Sequence, residues 1–143
     1  MQNPINYSIK SEPLLWVIHD PSAVYEGDII SSIRKGITRR QFMAFVKEVK
    51  QSVSALAEVI PASYSSLTKK DRYDKATSER MVELAEVFAQ GSEVFGDVTK
   101  FNSWLESTSQ PLGGVTPFSL LDTSIGISLV KDELGNIDHG IIA

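Results

Sequence analysis

The chain has 143 residues, 42% of them hydrophobic, a net charge of −4 and no cysteine. That length suffices for one compact domain, or two small ones sharing a core, without a covalent staple. The missing thiols exclude disulfides, thiolate catalysis and sulfur-ligated zinc. No apolar run approaches the ~20 residues of a membrane-spanning helix, and residues 1–18 lack the basic start and small-residue cleavage site of a secretory leader. A cytoplasmic protein with no membrane partner is expected. The charge is unevenly spread. Residues 1–75 hold eleven Lys/Arg against eight Asp/Glu, whereas residues 76–143 hold three against ten. A basic half suits an anionic partner and an acidic half suits a basic one.

Residues 1–25 carry Pro4, Pro13 and Pro21 around the short apolar run Leu14, Leu15, Trp16, Val17, Ile18. Proline at that density disfavours a helix, so an extended N-terminal arm or one short strand is expected. From Gly27 the period becomes helical. Ile29, Ile30 and Ile33 share a face and Gly36 is a stop. Thr38 with Gln41 forms a capping box ahead of Phe42, Phe45, Val46 and Val49. Ser52 caps a third helix with Val53, Leu56, Ala57 and Ile60, and a break at residues 61–63 precedes a short fourth helix carrying Leu67. Residues 71–76 read as a polar linker turn.

Thr77 or Ser78 is expected to cap a long helix with Met81, Leu84, Ala85, Phe88 and Phe95 on one side, ended by Gly96. Asp97 then caps a helix with Val98, Phe101, Trp104 and Leu105. After a Gly/Ser/Pro loop, Thr116 and Pro117 start a single turn, and Thr123 starts a last helix in which Ile127, Val130, Leu134 and Ile137 recur at helical spacing. The fold class is therefore all-α, with an arm (1–25), a first helical unit (26–76) and a second (77–143).

Within residues 56–67, Leu56, the small Ala57, a turn, and Leu67 ten residues after Ala57 have the spacing of a helix-turn-helix. Its exposed second helix would present Tyr64, Ser65, Ser66, Thr68, Lys69, Lys70 and Arg72 to phosphates and base edges. Pro61 departs from the pattern. A left-handed residue is usual there, and proline cannot adopt one. A helical hairpin without DNA binding is the alternative.

The second half contains Ser78, Glu79, Arg80; Val94, Phe95, Gly96, Asp97; Trp104, Leu105; Leu112, Gly113, Gly114; Thr116, Pro117; Leu120, Leu121, Asp122, Thr123; Leu134, Gly135; and His139, Gly140, in that order. Together they closely resemble the toxin-binding domain of antitoxins of the Xre/MbcA/ParS type, partners of RES-domain toxins. The likeness continues weakly back to about Gly27 and leaves residues 1–25 unexplained. It implies an Xre-like helix-turn-helix bundle that dimerises and represses its own operon by binding operator DNA, followed by a small helical domain that neutralises a cognate RES toxin. Such toxins degrade NAD or use it to modify a target, and the antitoxin's C-terminal segment sits at the NAD pocket. On this chain that segment is residues 127–143, with Ile127, Lys131, Leu134, Ile137, His139, Gly140, Ile141, Ile142 and Ala143 as the expected contacts.

A pocket that binds a pyrophosphate should be basic, and the acidic half is complementary to it. No paired carboxylates, metal cluster or nucleophile triad assemble from these residues, so neither enzymatic activity, a cofactor nor a metal is expected. His139 is far in sequence from the one other histidine, His19, Asp132 and Glu133 do not face one another on a helix, and Leu112 to Gly114 is no phosphate loop, lacking a preceding strand and a following Lys-Ser/Thr. The rival reading is a stand-alone helix-turn-helix regulator whose second half only dimerises.

Overall fold

The computed structural model describes Leu14 and residues 26–140. Of the arm, only Leu14 falls within that range. It is helical and 1% exposed, where extended chain is expected. Among the described residues the fold is all-α. Seven α-helices and one 3-10 turn appear, and the extended pairings are the isolated bridges Thr38 to Arg72 and Ser109 to Val115.

The helices are α1 (Glu26–Lys35), α2 (Arg39–Glu48), α3 (Val53–Ala57), α4 (Tyr64–Lys69), α5 (Lys75–Phe95), α6 (Val98–Leu105) and α7 (Ser124–Asp138), with the 3-10 turn Pro117–Leu120 just before α7. Local chemistry sets most of the boundaries. Gly36 stops α1 at φ 99°, Thr38 and Gln41 make both bonds of the capping box, and Ser52, Ser63, Asp97, Thr116 and Thr123 each accept a first-turn amide. Side-chain caps of this kind satisfy amides that a helix start otherwise leaves open.

The start of α5 departs from expectation. Asp74 is its cap, accepting from the Thr77 amide at 2.9 Å. Thr77 and Ser78 are buried inside the helix, and Ser78 Oγ accepts from the Ile37 amide at 2.8 Å. The supposed linker is part of the body: Tyr73 is buried and its hydroxyl donates to Leu67 O at 2.6 Å. Burial pushes the Tyr73 phenol up to about 12, so it stays a neutral donor at any working pH.

The bond from the Thr77 amide holds the Asp74 carboxyl below its ordinary value. Its contribution to stability is therefore present above that ordinary value and lost as pH falls through the depressed one. Asp74→Ala should cost about 1 kcal/mol at neutral pH, and thermal melts of mutant and wild type should converge in strong acid.

α5, about 30 Å long at 1.5 Å per residue, is the central element, packing against α1, α6 and α7. One hydrophobic cluster runs from Leu14 to Leu134. Edge-to-face rings carry it across the chain: Phe45 of α2 on Phe88 of α5 at 6.0 Å, and Phe88 on Phe101 of α6 at 5.2 Å. Such pairs add to the area they bury. Asn102 completes the junction, donating to Val49 O at 2.9 Å and accepting from Gln51 at 2.8 Å. Glycine permits close contacts at three places, Gly36 against the Tyr73 carbonyl among them. A Cβ at Gly91 would strike the Phe101 ring, and one at Gly126 would strike the Leu120 carbonyl.

Candidate DNA-facing and toxin-facing surfaces

α3 and α4 pack on each other as the helix-turn-helix spacing requires, with Leu56 and Leu67 fully buried. Their turn is unusual. It spans residues 58–63 and none of them has positive φ. Pro61 is instead the centre of a γ-turn in which the Ala62 amide donates to Ile60 O at 2.8 Å. Val59 and Ile60 are buried under it, so apolar anchoring replaces the left-handed residue.

On α4, Tyr64, Ser65 and Lys69 are exposed, as is Lys70 beyond it, while Ser66 is half-buried. Two candidate contacts are engaged internally. Thr68 Oγ1 donates to Tyr64 O at 2.9 Å, and Arg72 Nη1 donates to Gly36 O at 2.8 Å. Arg72 braces the end of α1, a role its place in the sequence did not reveal.

The last helix divides its residues sharply. Ile127 and Leu134, expected as partner contacts, lie in the core with Val130. Their spacing defines the buried stripe, so their role is to anchor α7. Lys131 reaches α5, its Nζ 3.4 Å from Glu86 Oε1 and its carbonyl accepting from Gln90 at 3.2 Å. Ile137 is half-buried. His139 is exposed with Nδ1 2.8 Å from Gly135 O, and Gly140 is exposed with φ 76°. Ile141, Ile142 and Ala143 lie outside the described residues.

The outward face carries what the sequence pattern hid. Ile125 is 78% exposed and Leu129 48%, one turn apart at i and i+4. Asp132 continues the line, and His139 lies on the same side two turns further on.

The base of α7 is pinned by Arg80, singled out in the sequence without a role. Its Nη1 donates to Val59 O at 2.9 Å and to Asp122 O at 2.8 Å, and its Nε meets Glu83 Oε1 at 3.0 Å. Glu83 Oε2 accepts from Ser124 Oγ at 2.8 Å. One guanidinium thus ties the turn between α3 and α4 to the first turn of α7, using the several fixed donors that arginine presents. Among the described residues no group of three or more His, Asp or Glu is placed to hold a metal ion, and no helix is long and apolar enough to cross a membrane.

Residues 90–140, from the end of α5 through α7, match the family described as antitoxin Xre/MbcA/ParS C-terminal toxin-binding domain. The likeness to the Xre/MbcA/ParS antitoxins is carried by that segment. The chain is similar to Antitoxin Xre of Photorhabdus laumondii, 31% identical over 96 residues, covering 66% of this chain and 65% of the relative. It is also similar to the Prs ADP-ribosylating antitoxin of Sphingobium sp., 26% identical over 129 residues and 81% of each chain. A third relative is Antitoxin Xre of Yersinia enterocolitica, 31% identical over 77 residues, covering 53% of this chain and 52% of the relative. The match thus spans slightly under two-thirds of the Photorhabdus relative's length. The matched segment holds Ile125 and Leu129 together with the Gly126 joint beside them.

Proposed function

We propose that this chain is a non-catalytic cytoplasmic antitoxin of the Xre/MbcA/ParS type that neutralises a RES-domain, NAD-consuming toxin by covering its active site with α7 and residues 137–143. The observation that carries the reading is the uncovered pair Ile125 and Leu129 within the matched segment. Two adjacent, exposed aliphatic side chains on a rigid helix suit a partner's apolar pocket. The surrounding acids, Asp122, Asp132 and Asp138 on or beside α7, suit a partner whose site is basic because it binds a pyrophosphate. The Sphingobium relative's name speaks of ADP-ribosylation, a reaction that consumes NAD.

The contact set is therefore Ile125, Leu129 and the end of the helix with Ile137, His139, Gly140, Ile141, Ile142 and Ala143. Ile127 and Leu134 support it from inside, and Lys131 from the side. We further propose that the first half, as a homodimer, represses the operon through Tyr64, Ser65, Ser66, Lys69 and Lys70 on operator DNA.

Removing residues 137–143 tests the first proposal. NAD turnover by the proposed RES-domain partner should be restored, while the truncated chain still melts cooperatively, because the buried stripe of α7 ends at Leu134. Undiminished inhibition by the truncated chain would sink it. The rival reading, a regulator whose second half only dimerises, gains if the two proteins fail to co-purify and truncation changes oligomeric state alone.

A further inference from the structure

We propose that a basic seam outside the helix-turn-helix, formed by Arg34, Lys35 and Arg40 beside Lys69 and Lys70, binds the sugar–phosphate backbone of duplex DNA; this rests on the DNA-binding reading above and extends its footprint. The seam exists because three chain segments far apart in sequence are knit together. The Arg39 amide donates to Asp71 O and the Tyr73 amide to Ile37 O, each at 2.9 Å. Arg72 reaches Gly36 O at 2.8 Å and Arg39 Nη1 reaches Lys69 O at 2.6 Å. The end of α1, the start of α2 and the end of α4 therefore lie side by side.

The bonding separates inner cations from outer ones. Arg39 and Arg72 point at the carbonyl ends of α4 and α1, where cations are favoured by the helix dipole. The nearby acids are also engaged: Asp71 pairs with Arg39 at 3.3 Å and Asp74 caps α5. That leaves Arg34, Lys35, Arg40, Lys69 and Lys70 exposed, and among the described residues none of them is ion-paired with a carboxylate. Arg34 and Lys35 also line an open hollow of about 520 Å³ with Ile30 and Ser31.

These five exposed cations on neighbouring segments, of which Lys70 feels the charge of Asp74, concentrate positive potential at one edge. A duplex backbone fits this edge better than an acidic protein face does. Its phosphates form a regular row that needs charge but little shape, and binding gains from counterion release. The row would also be continuous with α4, so one duplex could meet both.

The test uses the full chain and two duplexes, one carrying the sequence upstream of its own reading frame and one a scramble of it, with binding followed by fluorescence anisotropy across a salt series. A seam variant, Arg34→Gln with Lys35→Gln and Arg40→Gln, is compared with Lys69→Glu plus Lys70→Glu. The residues are exposed, so melting temperatures should match wild type. The seam variant should bind both duplexes more weakly, with a log–log salt slope shallower by roughly three units, about one for each phosphate no longer neutralised. A seam variant with wild-type affinity and slope, beside a weakened Lys69/Lys70 variant, would overturn the seam and leave the α4 reading intact. Failure of wild type to bind either duplex would remove the DNA reading and the seam with it. A seam variant that alters oligomeric state in sedimentation while DNA binding is unchanged would assign the edge to the acidic half of a second copy and refute the proposal.

Discussion

Gly126→Ala should lower the melting temperature of this protein by about 10 °C or more and loosen the last helix, even though alanine is the better helix former. Gly126 sits in the first turn of α7, where its backbone lies against the Leu120 carbonyl. A Cβ there would fall far inside van der Waals contact with a backbone oxygen, and no flexible side chain is available to give way. Alanine gains at most ~1 kcal/mol in helix propensity. Overpacking typically costs about 1–3 kcal/mol even where side chains can shift. With a rigid neighbour the loss should reach or exceed the top of that range, and ~3 kcal/mol corresponds to roughly 10 °C for a domain of this size.

Gly135 provides the control within the same helix. Its Cβ would meet nothing within 4 Å, so Gly135→Ala should raise stability by up to ~1 kcal/mol. Differential scanning calorimetry of the two variants reads both signs. Equal effects would mean that the 3-10 turn and α7 are not in tight contact.

The second large effect is on neutralisation rather than folding. Ile125→Asp with Leu129→Asp should leave the melting temperature near wild type, because neither side chain contributes to the core. It should weaken the proposed toxin complex by at least about a hundredfold. Burying an aliphatic side chain of this size is worth about 1.5–3 kcal/mol, so losing two removes at least ~3 kcal/mol, and forcing two carboxylates into an apolar pocket adds a desolvation penalty. Core substitutions would abolish inhibition too, but only by unfolding the chain. Loss of inhibition at unchanged stability separates contact from scaffold. An interface tolerant of both aspartates would place the contact elsewhere on α7 or in residues 137–143.

The sequence reading and the structure agree where information is local. Capping is decided by one side chain and an amide three residues on, so Thr38, Ser52, Asp97, Thr116 and Thr123 were legible as helix starts. The same rule misfired at Thr77 and Ser78. They are suitable cap types, but Asp74 is too, and the hidden fact was that Tyr73 packs edge-on against Phe42 at 5.7 Å and draws the supposed linker into the body. The close approaches at Gly91 and Gly126 depend on partners brought near only by the finished fold.

The exposed apolar positions of α7 were harder to read because the helix is apolar on two sides. Ile125, Ile127, Leu129 and Val130 all look like core, and periodicity alone does not say which side a neighbour will cover. Packing on α5 turned Ile127, Val130 and Leu134 inward and left Ile125 and Leu129 in the open. The one cue available beforehand was that an apolar arc too wide for a single buried stripe implies a second contact. At the turn before α4, Pro61 correctly signalled different construction, and the γ-turn over buried Val59 and Ile60 is that construction.

Arg80 connects these observations. Its guanidinium bonds the turn ahead of α4 and the loop ahead of α7, so the two proposed surfaces share one mechanical support. The division into residues 26–76 and 77–143 describes their proposed roles, while the hydrophobic cluster that joins them is continuous.

The most direct measurement is NAD turnover by a RES-domain toxin, the proposed partner, titrated with this purified chain. Turnover should fall to background as this chain approaches a fixed stoichiometric ratio to the toxin. Turnover that continues unchanged at saturating excess, with the chain folded, would contradict the proposed function.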